Sequence, residues 1–321
     1  MPQLFYVCCF FLTLNLQQVF ATELNETEQK VDDPKLAVHQ VIPSETDPAI
    51  NTFTGNGFRH WTYYNASVPQ KNELVVFLPG TGGKGKGSVE FNKVAANDGF
   101  HMIALAYPSD VSISHFKHLD DPDAFAKARE NIISGKVQFG NLGVNEANSI
   151  DNRLLKLLQY LSIHFPTEHW EQYLMNNKSI YWEKIILTGQ SQGGGHALFM
   201  AMKNKAARVI MFGSPKDFDA RRKRPAQWYS NLSATPLNRF FSFVHSADEG
   251  HGCTYQQQLQ NYRALQLMPM YKVIDVDHNS APYGHSRLLT STIHRDAPHV
   301  SVIDNVDYQG VWKYLLNEPV K

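Results

Sequence analysis

Cysteine is scarce in this chain. Three are present in 321 residues, and two of them, Cys8 and Cys9, lie in an apolar N-terminal stretch. Leu4 to Leu14 is nearly all apolar, and Val19-Phe20-Ala21 offers small residues at the two positions a signal peptidase reads, although Lys and Arg are missing ahead of the run. Residues 1–21 therefore read as a secretory signal, and the expected localisation is secreted or extracellular. Cleavage would leave Cys253 as the lone thiol, so no internal disulfide is available and the fold must rest on its core. Pairing of Cys253 between chains stays open. A surplus of charge is also missing: 30 Lys and Arg balance 30 Asp and Glu. That excludes the electrostatic signature of a nucleic-acid or anionic-membrane binder. Long hydrophobic runs are absent too. The leading run is short and is interrupted by Asn15, Gln17 and Gln18, and nothing later is long enough to span a bilayer, so no integral membrane contact is expected. Metal frameworks are lacking: Asp248-Glu249-His251 and Asp275-Asp277-His278 fit neither H-E-x-x-H nor a Cys/His spacing, and both read as solvated loops.

What is present is ordinary globular composition, 43% hydrophobic and 19% charged, with ample length for one large core. Residues 22–50 are polar and acidic without apolar periodicity and read as a flexible N-terminal arm, leaving 51–321 as the folded domain. The aromatic-rich Phe53 to Tyr64 fits a hairpin at a sheet edge. Leu74–Leu78, Met102–Tyr107, Ile185–Leu187, Val209–Phe212, Phe240–Val244 and Tyr271–Val276 are apolar runs of the kind buried on both faces. Between them lie helical stretches at Ser88–Asn97, Asp151–Ile163 and Gln256–Leu267, with a closing helix from Val311 to Leu316; residues 109–147 lack a pattern and would form an excursion over the site. Strands alternating with helices predict an α/β fold, a mostly parallel sheet with helices on both faces. Sequons at Asn25, Asn65, Asn177 and Asn231 are candidate glycosylation sites in a secreted eukaryotic protein. The basic run Arg221-Arg222-Lys223-Arg224 reads as a solvated loop face.

One stretch carries chemistry. In Ile185-Ile186-Leu187-Thr188-Gly189-Gln190-Ser191-Gln192-Gly193-Gly194-Gly195-His196-Ala197 an apolar run enters G-x-S-x-G and good helix formers leave it. The five-residue pattern is common as a chance turn, but strand–turn–helix context makes it a nucleophile elbow. Gly189 and Gly193 give the sharp turn its room, and Ser191 sits at a helix N-terminus that favours developing negative charge. A serine hydroxyl needs a base, and the base an orienting acid. The acid belongs just past a later strand: Asp248 fits, with Asp217 and Asp219 in reserve. The base belongs in a late loop: His299 fits, His294 is its main rival, and His251 and His285 are weaker. Oxyanion donors are expected from the Gln192 amide and from the glycine-rich loop after Leu78, at Thr81 or Gly82. That loop lacks the spacing and the Gly-Lys-Ser/Thr ending of a phosphate-binding loop.

With these residues in hand, the chain from about Leu74 onward resembles the α/β-hydrolase superfamily of esterases, lipases and related hydrolases. The likeness rests on L-V-V-F-L-P-G-T-G-G, I-L-T-G-Q-S-Q-G-G-G-H-A, S-A-D-E-G-H and A-P-H-V-S. The resemblance implies an eight-stranded sheet, a Ser–His–Asp triad and no cofactor. It also implies cleavage of carboxylic esters through an acyl-enzyme, the substrate a small-molecule, lipid or carbohydrate ester. The chain departs from many lipases, which carry His-Gly before the oxyanion loop where Pro79-Gly80 stand here, and no disulfide can bound a lid. A peptidase or thioesterase would fit the same fold, and so would a hydrolase-fold protein that binds a partner without turnover.

Overall fold

Apolar segments that keep both faces out of water set the architecture. In the computed structural model, which describes residues 35–55, 57–250 and 252–320, five of the six apolar runs supply central strands of a nine-stranded sheet, while Tyr271–Val276 holds a half-buried strand at its edge. In chain order the strands are β1 (Leu36–Val41), β2 (His60–Asn65), β3 (Leu74–Leu78), β4 (His101–Ala104), β5 (Ile185–Gln190), β6 (Arg208–Phe212), β7 (Phe240–His245), β8 (Val273–Asp275) and β9 (Leu288–Ser291). Their spatial order is β1-β2-β4-β3-β5-β6-β7-β9-β8. From β4 to β8 every neighbour pair is parallel, while β2 and β1 join antiparallel at one edge. Every residue of β3, β4, β6 and β7 is buried, as parallel strands covered on both faces require.

Successive side chains of a strand point to opposite faces, so each central strand serves two cores. Val76, Leu187, Val209 and Met211 join one apolar cluster with Leu154, Leu157, Leu158 and Leu161 of α3 (Ile150–His164) and Leu198 of α4 (Gln192–Lys203). On the other face Phe77 and Phe212 meet Phe91 of α1 (Val89–Asn97), and Phe91 packs edge-on against Trp312 of α7 (Gln309–Asn317). Further helices include α2 (Ala124–Ser134), α5 (Tyr255–Ala264) and α6 (Pro298–Asp304), besides a single turn at Pro43–Thr46 and several short 3-10 segments. Among the described residues no helix is long and apolar enough to cross a membrane.

Several sequence expectations need revision. The segment 22–50 is not an arm throughout: Leu36–Val41 is an edge strand paired residue by residue with β2, and Ile50 is buried. An edge strand held by main-chain hydrogen bonds needs no strict apolar alternation, and Leu-Ala-Val-His-Gln-Val shows none, so it did not stand out. Phe53–Tyr64 is not a self-contained hairpin, because β2 pairs with β1 and β4. The excursion 109–147 contains α2, and the sheet has nine strands rather than eight. Residues 1–21 and Asn25 lie outside the described residues. Of the other sequons, Asn177 and Asn231 are exposed. Asn65 is buried with both ends of its amide engaged, by Asn97 and by Ser67, an arrangement a glycan would break.

Candidate active site

Strand β5 ends at Gln190 and α4 begins at Gln192, leaving Ser191 alone to make the turn. Its backbone takes φ 55° and ψ −117°, a sparsely populated region for a residue with a Cβ. Such a conformation costs on the order of 1–3 kcal/mol and persists only when its surroundings impose it. Here they do: Ser191 N–H donates to Phe212 C=O at 2.8 Å, and Ser191 C=O accepts from Gly195 N–H at 3.1 Å. The glycines supply clearance. A Cβ on Gly193 would lie 1.9 Å from Leu78 O, and one on Gly189 would lie 2.4 Å from the Gly193 carbonyl carbon.

Asp248 follows β7 and is buried. His299, also buried, lies in the first turn of α6 instead of the loop expected from sequence; Pro298 at the first helical position starts that helix. The two meet, His299 Nδ1 to Asp248 Oδ2 at 2.8 Å. Gly213, just past β6 with φ +54°, makes the seat for the imidazole: a Cβ there would approach His299 Nδ1 to 3.2 Å and Cε1 to 3.1 Å. Ser191 and His299 both line one cavity of about 340 Å³, together with Thr81, Gln192 and Lys216.

The competing candidates are engaged by other partners or lie away from His299, although Asp217 also borders the cavity. Asp217 is held by Arg129 and Asp219 by Arg222. His294 is 92% exposed, 3.8 Å from Asp296. His285 meets Glu318 at 2.7 Å, and His251 lies outside the described residues. Among the described residues no group of three His, Cys, Asp or Glu is arranged to hold a metal ion. The Asp275–Asp277 loop is internally bonded: Asp277 Oδ2 accepts from Ser291 Oγ and from the Thr292 and Ile293 amides, and Asp275 meets His278.

The residues expected to supply oxyanion donors are placed unevenly. Gln192 is the first residue of α4, so its amide has no intrahelical acceptor. Gly82 drops out, because its N–H donates to Ser109 C=O at 2.8 Å. Thr81 stays beside the elbow. Its hydroxyl donates to Gln192 Oε1 at 2.9 Å, and the same oxygen accepts from Ile113 N–H at 3.0 Å. The Gln192 side chain thus ties the glycine-rich loop to the start of the excursion. Gly80 brings that loop close, since a Cβ there would be 2.3 Å from Gln190 Oε1 and 3.3 Å from Ser191 Cβ.

Two cations were missed by the sequence reading. Lys216 Nζ donates to Asp248 Oδ2 at 2.8 Å, the oxygen that also receives His299. Burial pushes the Asp248 carboxyl up, but His299 and Lys216 outweigh it and hold the group below the usual carboxylate range. Arg129 of α2 makes a two-pronged bond to Asp217, Nε to Oδ2 and Nη2 to Oδ1, both 2.6 Å, and its third nitrogen donates to Gln192 C=O at 3.2 Å. Burial opposes the guanidinium charge, yet Asp217 raises its pKa above the ordinary value. Gly195 is the opening for this side chain, since a Cβ would sit 2.1 Å from Nη2. His196, beneath the elbow and next to Arg129, is pushed well below the usual histidine range by burial and by that charge, which fits a neutral packing role. The run Gly213-Ser214-Pro215-Lys216-Asp217 carries two charges where a strand has just ended, but neither their burial nor the approach of Arg129 can be read from it.

A second cavity, about 230 Å³ and flanked by Leu237, Phe240 and Leu267, shares no residue with the first. No family model matches the chain, and no curated protein matches it.

Proposed function

We propose that the protein is a serine hydrolase of the α/β-hydrolase type that cleaves carboxylic esters, with Ser191 as nucleophile, His299 as base and Asp248 as orienting acid, and that it is secreted. The observation that carries this reading is the strained serine at a strand–helix turn sharing a cavity with a histidine whose other ring nitrogen is bonded to a buried aspartate. In the reaction His299 Nε2 takes the Ser191 Oγ proton as Oγ bonds to the ester carbonyl carbon. The resulting oxyanion is met by the Gln192 amide and by the main-chain N–H of Thr81. Collapse breaks the carbon–alkoxide bond, and the imidazolium returns the proton to the leaving alcohol. Water then repeats the sequence on the acyl-enzyme. Asp248 fixes the imidazole tautomer and offsets the charge that forms on it.

A fluorophosphonate probe tests this directly. It should label Ser191, seen as a mass adduct on the Gln190–Lys203 region, and the adduct should be missing in Ser191→Ala. Ester hydrolysis should fall by several orders of magnitude in Ser191→Ala, and about as far in His299→Ala, since triad members act as a unit. His294→Ala should keep parental rates. A dead His294→Ala beside an active His299→Ala would move the base; absence of both labelling and hydrolysis would leave a binding protein on a hydrolase scaffold.

A further inference from the structure

We infer that the cavity at Ser191 takes short-acyl esters of polyhydroxylated alcohols, sugar acetates being the simplest case, and not long-chain lipid esters; the inference rests on the hydrolase reading above. Size is the first ground. About 340 Å³ lies near the small end of the roughly 300–1,000 Å³ typical of small-molecule sites. The second ground is the chemistry of the wall. Apart from Ile113 and Val300, every side chain on it ends in a hydroxyl, amide, imidazole or charge. Small-molecule sites are ordinarily lined mostly by apolar and aromatic side chains; among the described residues no Phe, Tyr or Trp lines this one, and its apolar surface comes largely from the stems of side chains with polar ends. Two apolar side chains can cover an acyl group of a few atoms, but a long chain would press against donors and acceptors it cannot satisfy.

The polar groups are also held in place. Ser112 and Ser114 hydroxyls bond to one another at 2.8 Å, and Ser112 Oγ also accepts the Ser114 amide, which leaves the pair with donor and acceptor capacity toward the cavity. The loop carrying Gly252 (φ +92°) closes on this pair, since a Cβ there would lie 2.6 Å from Ser114 Cβ. Lys216 places one of its three N–H donors on Asp248 and is among the residues that line the cavity. The Arg129–Asp217 and Lys216–Asp248 pairs each cancel their own charge, so the wall presents hydrogen bonds with little net charge. A neutral hydroxyl-rich alcohol suits that wall better than an anion or a hydrocarbon.

The test measures kcat/KM of the purified full chain on four defined esters. p-Nitrophenyl acetate and p-nitrophenyl decanoate vary the acyl group; 6-O-acetylglucose and hexyl acetate vary the alcohol. The acetyl ester should exceed the decanoyl ester at least tenfold, and the sugar acetate should exceed hexyl acetate at least tenfold. Ser114→Ala should narrow the second ratio. Preference for decanoate, or for hexyl acetate over the sugar acetate, would overturn the substrate class while leaving the hydrolase reading in place. Turnover of none of the four, without phosphonate labelling of Ser191, would overturn both.

Discussion

Replacing Asp217 by Asn should cost the fold more than any change at Ser191. Asp217 and Arg129 are almost wholly buried, with side chains 3% and 2% exposed. Asp217 also accepts from Trp228 Nε1 at 3.0 Å, while its own amide donates to Tyr229 OH at 2.9 Å. Asn keeps the shape but removes the negative charge and turns an N–H₂ toward the guanidinium, setting donor against donor. Breaking a buried ion pair by removing one partner costs about 3–5 kcal/mol, because the remaining charge stays buried without compensation. Set against a total stability of about 5–15 kcal/mol, that is a large share. Removing both charges in Arg129→Met with Asp217→Leu should cost less than the two single changes added. It would still exceed zero, since Gln192 C=O and His196 Nδ1 lose the guanidinium donor, and a buried acceptor left unmet costs about 1–3 kcal/mol. Urea unfolding of the parent, both singles and the double at pH 7 gives the cycle. A loss under about 1 kcal/mol for Asp217→Asn, or additive singles, would refute the claim that this pair fastens α2 to the elbow.

Two further outcomes follow from the geometry. Gly213→Ala should lower kcat at least tenfold through displacement of His299, with a stability loss of about 1 kcal/mol for the positive φ; unchanged kcat would mean that the imidazole seat is not set by this glycine. Because the folded-state pKa of Asp248 is depressed, its charge contributes stability in full above the unfolded value of about 3.9 and loses it as pH falls through the lower folded value. The difference in unfolding free energy between parent and Asp248→Asn should therefore be constant from pH 7 to about 5 and shrink toward pH 3, and a gap that widens on acidification would contradict the sign.

The elbow was legible because everything it needs is local. Thirteen consecutive residues contain the strand, the glycines and the start of the helix, and no distant contact has to be guessed. Asp248 and His299 were reachable by chain order alone, one past β7 and the other past β9. Order could not decide between Asp248 and Asp217, since both follow buried strands. What separates them is Arg129, which arrives from a segment without apolar period and occupies Asp217 completely. Lys216 was illegible for the same reason: its partner lies 32 positions away, and nothing in the local pattern marks a buried ammonium. Gly82, the neighbouring alternative to Thr81, is excluded by its amide bond to Ser109, a pairing that depends on how the chain after β4 folds back.

The five residues after β6 explain why site and scaffold cannot be separated in this protein. Gly213 seats the imidazole of His299. Ser214 lies where a Cβ on Gly194 of the elbow helix would come within 2.8 Å, and its carbonyl accepts from Ser242 Oγ of β7 at 2.7 Å. The Pro215 carbonyl accepts from Asn261 of α5 at 3.0 Å. Lys216 reaches Asp248, and Asp217 reaches Arg129 of α2. Adjacent residues with side chains sent to separate partners fix the turn from both ends, so Asp248, His299 and the helix behind Ser191 share one rigid reference. Preorganised groups need positioning of about this precision, because a displacement near 1 Å at the reacting atoms can cost on the order of a hundredfold in rate. The buried charges therefore act through geometry. Their desolvation makes them poor sources of net stability, while their paired, directional bonds hold the turn to one conformation.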